Sequence, residues 1–232
     1  MDQKELFLRE EGDAYFKRNR SAHGSHDGSA VPEDLRYMYH VLDPFRSRIG
    51  RILEVGCSNG LKLEALSRNF EASGMGIDPS AMAIEDGKTR PGASHLDLRV
   101  GTGDDLPCDP ASFDVVYLAF CLYLTDRPLL LKTVAEADRV LKPGGFLAIT
   151  DFDPGTRYRK PYSHLEGAYS YKQDYTQTFL ECGQYYLAGK HCYSHRFPRF
   201  DEDADERVAT AILYKDPDAY PTRRQTSPAG LL

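Results

Sequence analysis

Glu54, Gly56, Gly60 and Asp78 are the residues of this chain whose types and spacing suit a ligand site. The first three lie in Arg51-Ile-Leu-Glu-Val-Gly-Cys-Ser-Asn-Gly60, an apolar, β-branched run that ends in a carboxylate and breaks into a glycine-bracketed turn. A helix-like stretch, Leu61 to Asn69, follows at once. Buried strand, tight loop and helix N-terminus form the usual cradle for a nucleotide-like ligand, because free backbone N–H groups and the helix dipole converge there. The plainer alternative is an ordinary strand-to-helix turn. Asp78 ends the next apolar run, 22 residues beyond Gly56. A carboxylate there can accept both hydroxyls of a ribose, and it can also cap a helix beginning at Ser80.

Spacing separates the neighbouring motifs. A dinucleotide fingerprint needs Gly-x-Gly-x-x-Gly, but the second and third glycine positions after Gly56 hold Ser58 and Leu61. A nucleotide-sugar oxidoreductase is therefore disfavoured. A P-loop needs Gly-Lys-Ser/Thr at the helix start, and Gly60-Leu61-Lys62-Leu63 has no hydroxyl for magnesium.

These residues need a frame to hold them, and the chain alternates in the required order. Strands are expected at Ile52–Val55, Gly74–Asp78, Leu96–Val100, Phe113–Phe120 and Gly145–Thr150. Helices are expected at Lys62–Asn69, Ser80–Lys88 and Pro128–Leu141. Such alternation implies a parallel sheet with helices on both faces. Tyr185–Tyr193 and Arg207–Leu213 read as a closing strand pair. Residues 4–19 read as an amphipathic helix, Ser21–Ala30 as a mobile linker and Pro32–Leu42 as a second helix, able together to cap the ligand edge. The expected organisation is one domain over 1–215, with an N-terminal helical cap over 1–43, a core over 50–153 and an insert over 155–183. Residues 216–232, with three prolines, read as a disordered tail.

Composition narrows the class. The 232 residues are 41% hydrophobic, enough for a single α/β domain with a substantial core. Net charge is −6, and no clustered basic face appears, so a small or neutral partner is favoured over nucleic acid. Arg157-Tyr-Arg159-Lys160 is short and reads as a solvated loop. The five cysteines form no zinc or redox spacing and read as reduced thiols of a cytoplasmic protein. No signal peptide or membrane span is expected. His23 and His26 lack partners for a metal, and none is assigned.

The loop at residues 54–60 resembles the first motif of class I S-adenosylmethionine-dependent methyltransferases, Glu/Asp-x-Gly-x-Gly-x-Gly, with Ser58 in place of the middle glycine. Gly101-Thr-Gly-Asp-Asp-Leu-Pro-Cys-Asp-Pro-Ala-Ser-Phe-Asp-Val-Val116 resembles the family's stretch into strand four, and Leu141-Lys-Pro-Gly-Gly145 its turn into strand five. The resemblance covers about residues 50–153. It implies a doubly wound seven-stranded, mostly parallel sheet of order 3-2-1-4-5-7-6, strand 7 antiparallel, with the insert before strand 6. It implies S-adenosyl-L-methionine held by Glu54, Gly56, Cys57, Ser58, Gly60, Asp78, Pro79, Thr102, Gly103, Asp104 and Phe120. Thr102 occupies the position of the family's adenine-binding acid. Cys108 precedes strand four, so packing is expected of it rather than the nucleophilic role of a cytosine-C5 enzyme. The Asp/Asn-Pro-Pro-aromatic motif of adenine and glutamine N-methyltransferases is replaced by Phe120-Cys-Leu-Tyr-Leu124.

Eight of the fifteen tyrosines fall between Tyr158 and Tyr193. Tyr15, Tyr169, Tyr171 and Tyr175 are the expected acceptor-binding residues, with packing of the insert as the alternative role. For a catalytic base the candidates are Tyr123, where related enzymes often place a histidine, and His164, whose imidazole titrates near neutrality. The expected function is methyl transfer to a small molecule, a sugar or natural-product metabolite. A protein or peptide acceptor, or a non-catalytic cofactor-binding subunit, is the alternative. A homodimer is compatible with the sequence.

Overall fold

The computed structural model describes residues 2–24, 31–91 and 93–222. The tail from 223 and positions 25–30 of the expected linker lie outside the described residues. Five parallel strands form the core: β1 (Arg51–Val55), β2 (Ser73–Asp78), β3 (Leu96–Val100), β4 (Phe113–Ala119) and β5 (Leu141–Phe152). A hairpin of β6 (Tyr158–Pro161) and β7 (Tyr169–Lys172) follows, then β8 (Tyr185–Ser194) and β9 (Arg207–Lys215). The main sheet has the order β3-β2-β1-β4-β5-β9-β8, with β9 antiparallel to both neighbours. This is the expected seven-strand order once the two hairpin strands are set aside. Regular structure in the insert went unread in the sequence.

Side-chain alternation on buried strands explains why both faces are filled. Leu53, Val55, Val116, Leu118, Leu147 and Ile149 face one layer, which α6 (Arg127–Val140) and α7 (Thr176–Leu180) cover. Ile52, Val115, Tyr117, Phe146 and Ala148 face the other, covered by α3 (Glu33–Leu42) and α4 (Leu61–Phe70). A further helix, α5 (Ala81–Thr89), links β2 to β3.

The N-terminal segment is helical from Gln3 to Gly24: α1 (Gln3–Leu6), a wide π turn at Phe7–Glu11, and α2 (Gly12–Gly24). The first four residues of the expected linker are thus helix. Gly12 lies against the Pro79–Ser80 backbone, where an added Cβ would come within 3.1 Å of the Ser80 nitrogen.

Two family-like stretches prove architectural. Asp114 accepts hydrogen bonds from the Gly50 and Arg51 amides, both at 2.9 Å, and pairs with Lys142 at 2.7 Å, so it fixes the start of β1. At Lys142-Pro-Gly-Gly145, Gly144 takes φ +79°, and a Cβ on Gly145 would meet the Asp114 carbonyl oxygen at 2.9 Å. The turn needs glycine at both places. The helix before it stops at Val140, one residue before the expected end, and β5 begins at Leu141, four residues ahead of the expected Gly145.

Candidate active site

The carboxyl ends of β1, β2, β4 and β5 converge at the point where the strand order reverses between β1 and β4, the crevice where open α/β sheets hold ligands. Gly56 adopts φ +80°, and a Cβ there would lie 2.7 Å from the Ala119 carbonyl oxygen. Ser58 takes the left-handed conformation expected of the missing middle glycine, φ +50°. Its amide donates to Asp78 Oδ2 at 2.8 Å, which offsets the strain. Gly60, at φ +75°, caps α4.

Asp78 Oδ1 also accepts from the Ser80 amide at 2.9 Å. Both expected roles of Asp78, the ligand-edge acid and the organiser of the α5 start, are therefore available to one carboxylate. Burial pushes its pKa up to about 6, against the pull of the two amides. The cap of α5 itself is Ser80, whose Oγ accepts from the Ala83 amide at 3.0 Å. Asp13 from α2 reinforces it, accepting from Ser80 Oγ at 2.7 Å and from the Met82 amide at 3.0 Å.

Glu54 is buried, and burial raises its pKa to about 8, with Lys62 pulling the other way. Its Oε2 has no hydrogen-bond partner, and neither does Ser58 Oγ. Two orphaned polar atoms beside a glycine-lined loop suit a ligand that brings its own donors. Lys62 is held by Asp34 on α3. Burial raises Asp34, but the Lys62 ammonium and the Tyr117 hydroxyl, 2.7 Å away, outweigh it and hold the carboxyl below its usual range.

The N-terminal segment crosses this edge. Gln3 donates through Nε2 to the Leu124 and Tyr169 carbonyl oxygens at 2.6 and 3.0 Å, and its Oε1 accepts from the Tyr169 amide at 2.9 Å. Lys4 reaches Asp104 at 2.8 Å, and Thr102 Oγ1 donates to the same carboxylate at 2.7 Å. Thr102 and Asp104 thus form one polar group beside Gly103, with Lys4 of the N-terminal segment pairing the acid. Tyr15 reaches the phenol of Tyr123, and Lys62 and Asp78 both act on its charge.

The expected acceptor residues divide. Tyr15 and Tyr123 stand at the mouth of the sheet. Tyr175 does not: it is 2% exposed, and its hydroxyl lies 2.6 Å from the Tyr171 carbonyl oxygen and 3.1 Å from that of Leu122. It fixes the insert to the turn after β4. Tyr171 lies under the Arg127 guanidinium, 4.2 Å from the ring centroid, and Tyr169 under that of Arg159 at 4.7 Å.

Tyr123 is a poor proton acceptor, because burial and the facing Tyr15 push its pKa well above normal. Its ring meets Phe120 and Phe152 edge-on at 6.2 and 5.2 Å. Phe120, directly after β4, takes φ +48°, a strained conformation for a non-glycine residue. Asp151 accepts from the Tyr123 amide at 3.1 Å and holds this turn in place. Burial raises Asp151 to about 7.

His164 is exposed on the β6–β7 connection and touches Tyr162 edge-on at 5.3 Å. His195 stands nearer the crevice, 5.7 Å from the Phe120 ring and 5.6 Å from that of Phe152. Its side chain is also exposed, and the partial desolvation it meets beside these rings lowers its pKa. Sequence reasoning passed over it; its place follows from β8 running parallel to β5, so that residues leaving β8 emerge at the ligand edge. Cys108 packs, with its sulfur 3.5 Å from that of Met75. Among the described residues no cluster of three or more His, Cys, Asp or Glu suits a metal, and no helix is long and apolar enough to cross a membrane.

A methyltransferase domain family matches residues 53–149, which span this loop, the Asp78 edge and the turn into β5. Residues 53–149 thus match a methyltransferase domain, and the sheet order around them is that of the class I S-adenosylmethionine-dependent methyltransferase fold. The chain is 33% identical over 119 residues to phthiotriol/phenolphthiotriol dimycocerosates methyltransferase 1 of Mycobacterium ulcerans, covering 51% of this chain and 43% of that protein. It is 35% identical over 112 residues to the fatty-acid O-methyltransferase of Mycolicibacterium smegmatis, covering 48% and 39%. The chain thus spans less than half the length of these curated relatives. Its fold matches the Burkholderia thailandensis 1,6-didemethyltoxoflavin-N1-methyltransferase, solved with 1,6-didemethyltoxoflavin and S-adenosylhomocysteine, with TM-score 0.63 at 14% identity over 89% of this chain and 88% of that one. S-adenosylmethionine is the methyltransferase family's cofactor, and the orphaned Glu54 and Ser58 atoms and the Cβ-free approach at Gly56 fit it.

Proposed function

We propose that this methyltransferase transfers the methyl group of S-adenosylmethionine to a small-molecule acceptor at the carboxyl ends of β4 and β5. The bound cofactor supplies an activated sulfonium methyl. The chain's work is placement, and alignment of this kind can contribute about 7–11 kcal/mol to catalysis. Glu54 is suited to the amino group of the methionine moiety, Asp78 to the ribose hydroxyls, and Thr102, Gly103 and Asp104 to the adenine edge. Cys57, Pro79 and Phe120 line the same path. The observation that carries the small-molecule reading is the aromatic wall of Phe120, Tyr123 and Phe152, closed over by the N-terminal helix and the β6–β7 hairpin. Such a covered wall suits a compact apolar or ring-bearing acceptor better than a protein surface. The relatives named for phthiotriol dimycocerosates and for a fatty acid, and the neighbour solved with 1,6-didemethyltoxoflavin, support a metabolite acceptor.

The test is turnover of purified protein with S-adenosylmethionine and a metabolite panel of acids, phenols, amines and sugars, followed as S-adenosylhomocysteine release. Turnover with a panel member supports the reading. Turnover with peptides alone favours a protein acceptor. Tight cofactor binding without turnover on either favours a cofactor-binding subunit.

A further inference from the structure

We propose that the acceptor is a carboxylic acid whose carboxylate is held by Lys172, above the aromatic floor of the site. The proposal deepens the small-molecule reading and rests on it. Lys172 ends β7 on the side of the hairpin that faces the main sheet, and it is 4% exposed. Its ammonium lies 3.6 Å from the centroid of the Phe152 ring. Phe152 ends β5 and meets Phe120 at 5.6 Å, Tyr123 at 5.2 Å and His195 at 5.6 Å. The cation therefore stands over the wall assigned to the acceptor.

Its bonding is incomplete. An ammonium has three N–H donors, and the protein takes one of them, through the Asp205 carbonyl oxygen at 2.7 Å. Among the described residues no carboxylate lies within ion-pair distance of Lys172, although Lys4, Lys62, Lys142, Lys190 and Lys215 each have one. Burial lowers its pKa to about 8, and the charge of Lys160 across the hairpin adds to this, while the more distant carboxylates of Asp205 and Glu206 pull the other way. A buried cation without a carboxylate in contact is costly, which a bound anion would relieve. A single ammonium set on aromatic rings suits a monoanion with an apolar body. A phosphate dianion is more often met by arginine forks or rows of backbone N–H groups than by one lysine.

The experiment uses the full chain loaded with S-adenosylhomocysteine and measures binding by calorimetry. Benzoate and octanoate are compared with benzamide and octanamide, the same bodies without the charge. The expected result is at least tenfold tighter binding of the acids, with the preference abolished in Lys172→Met and partly kept in Lys172→Arg. S-adenosylhomocysteine affinity should be equal in all three proteins. Equal binding of acids and amides to the unmodified protein overturns the proposal without any variant. So does a preference that survives Lys172→Met, or inorganic phosphate binding tighter than the acids. Failure of S-adenosylhomocysteine itself to bind would instead strike at the methyltransferase reading.

Discussion

The amide of Ser58 donates a 2.8 Å hydrogen bond to Asp78, and this bond holds a non-glycine residue in the left-handed region at the centre of the cofactor loop. A left-handed non-glycine residue costs about 1 kcal/mol or more, and a hydrogen bond to a charged group returns a comparable amount. Ser58→Gly should therefore keep the loop, with stability and S-adenosylhomocysteine affinity at or above those of the parent. Ser58→Val, β-branched and unsuited to this conformation, should lose more than about 1 kcal/mol and weaken the cofactor. Denaturant melts and calorimetry read both effects.

Removing the other partner should be worse. Asp78→Ala deletes the anchor of Ser58 and the acid suited to the ribose together. Cofactor affinity should fall by about 1.5–3 kcal/mol, the range for a lost hydrogen bond to a charged group. An affinity within twofold of the parent would remove Asp78 from the site.

Glu54 makes stability and binding depend on pH. Its pKa is raised to about 8 in the fold, against about 4.3 in an unfolded chain. Between these values the folded state holds more protons, so this group's contribution is fully present below pH 4 and declines until about pH 8. Asp151, raised to about 7, and Asp78, raised to about 6, act in the same direction. The protein without cofactor should lose stability from pH 5 to 8, and Glu54→Gln should flatten that decline. A cationic ligand amine should ionise Glu54, so cofactor binding at pH 7 should release protons, detected as a buffer-dependent heat. Glu54→Gln should abolish the release attributable to this group.

Asp13 links the N-terminal helix to the start of α5 through Ser80 and the Met82 amide. Asp13→Ala should cost about 1 kcal/mol, as for a lost helix cap. Because α2 crosses the cofactor edge at Pro79–Ser80, the same change should also speed cofactor dissociation. Stopped-flow displacement alongside a thermal melt separates the two effects.

The two histidines give opposed expectations. His195→Ala, beside Phe120 and Phe152, should lower turnover by about 100-fold if the acceptor needs a general base. His164→Ala, exposed beyond Tyr162, should leave turnover within about threefold and cofactor affinity unchanged. A large loss at His164 with none at His195 would mean that the β6–β7 connection folds into the site during turnover.

The local chemistry of the core was legible because each signal was short in range. Glu54, Gly56 and Gly60 announce a strand, a turn and a helix start within ten residues, and β-branched runs bounded by turns mark the strands they belong to. Tertiary structure decided what long-range contact controls. Tyr169, Tyr171 and Tyr175 share one sequence cluster, but packing against Leu122 and Arg127 turned Tyr175 into a buried strut and stacked Tyr171 under a guanidinium. His164 and His195 are equally plausible as bare residues. Only the direction of β8, set by its pairing with β9, brings His195 to the ligand edge. Lys172 carried no sequence signal, since its character comes from its surroundings: a β-hairpin face, the ring of Phe152 and the carbonyl oxygen of a residue 33 positions away.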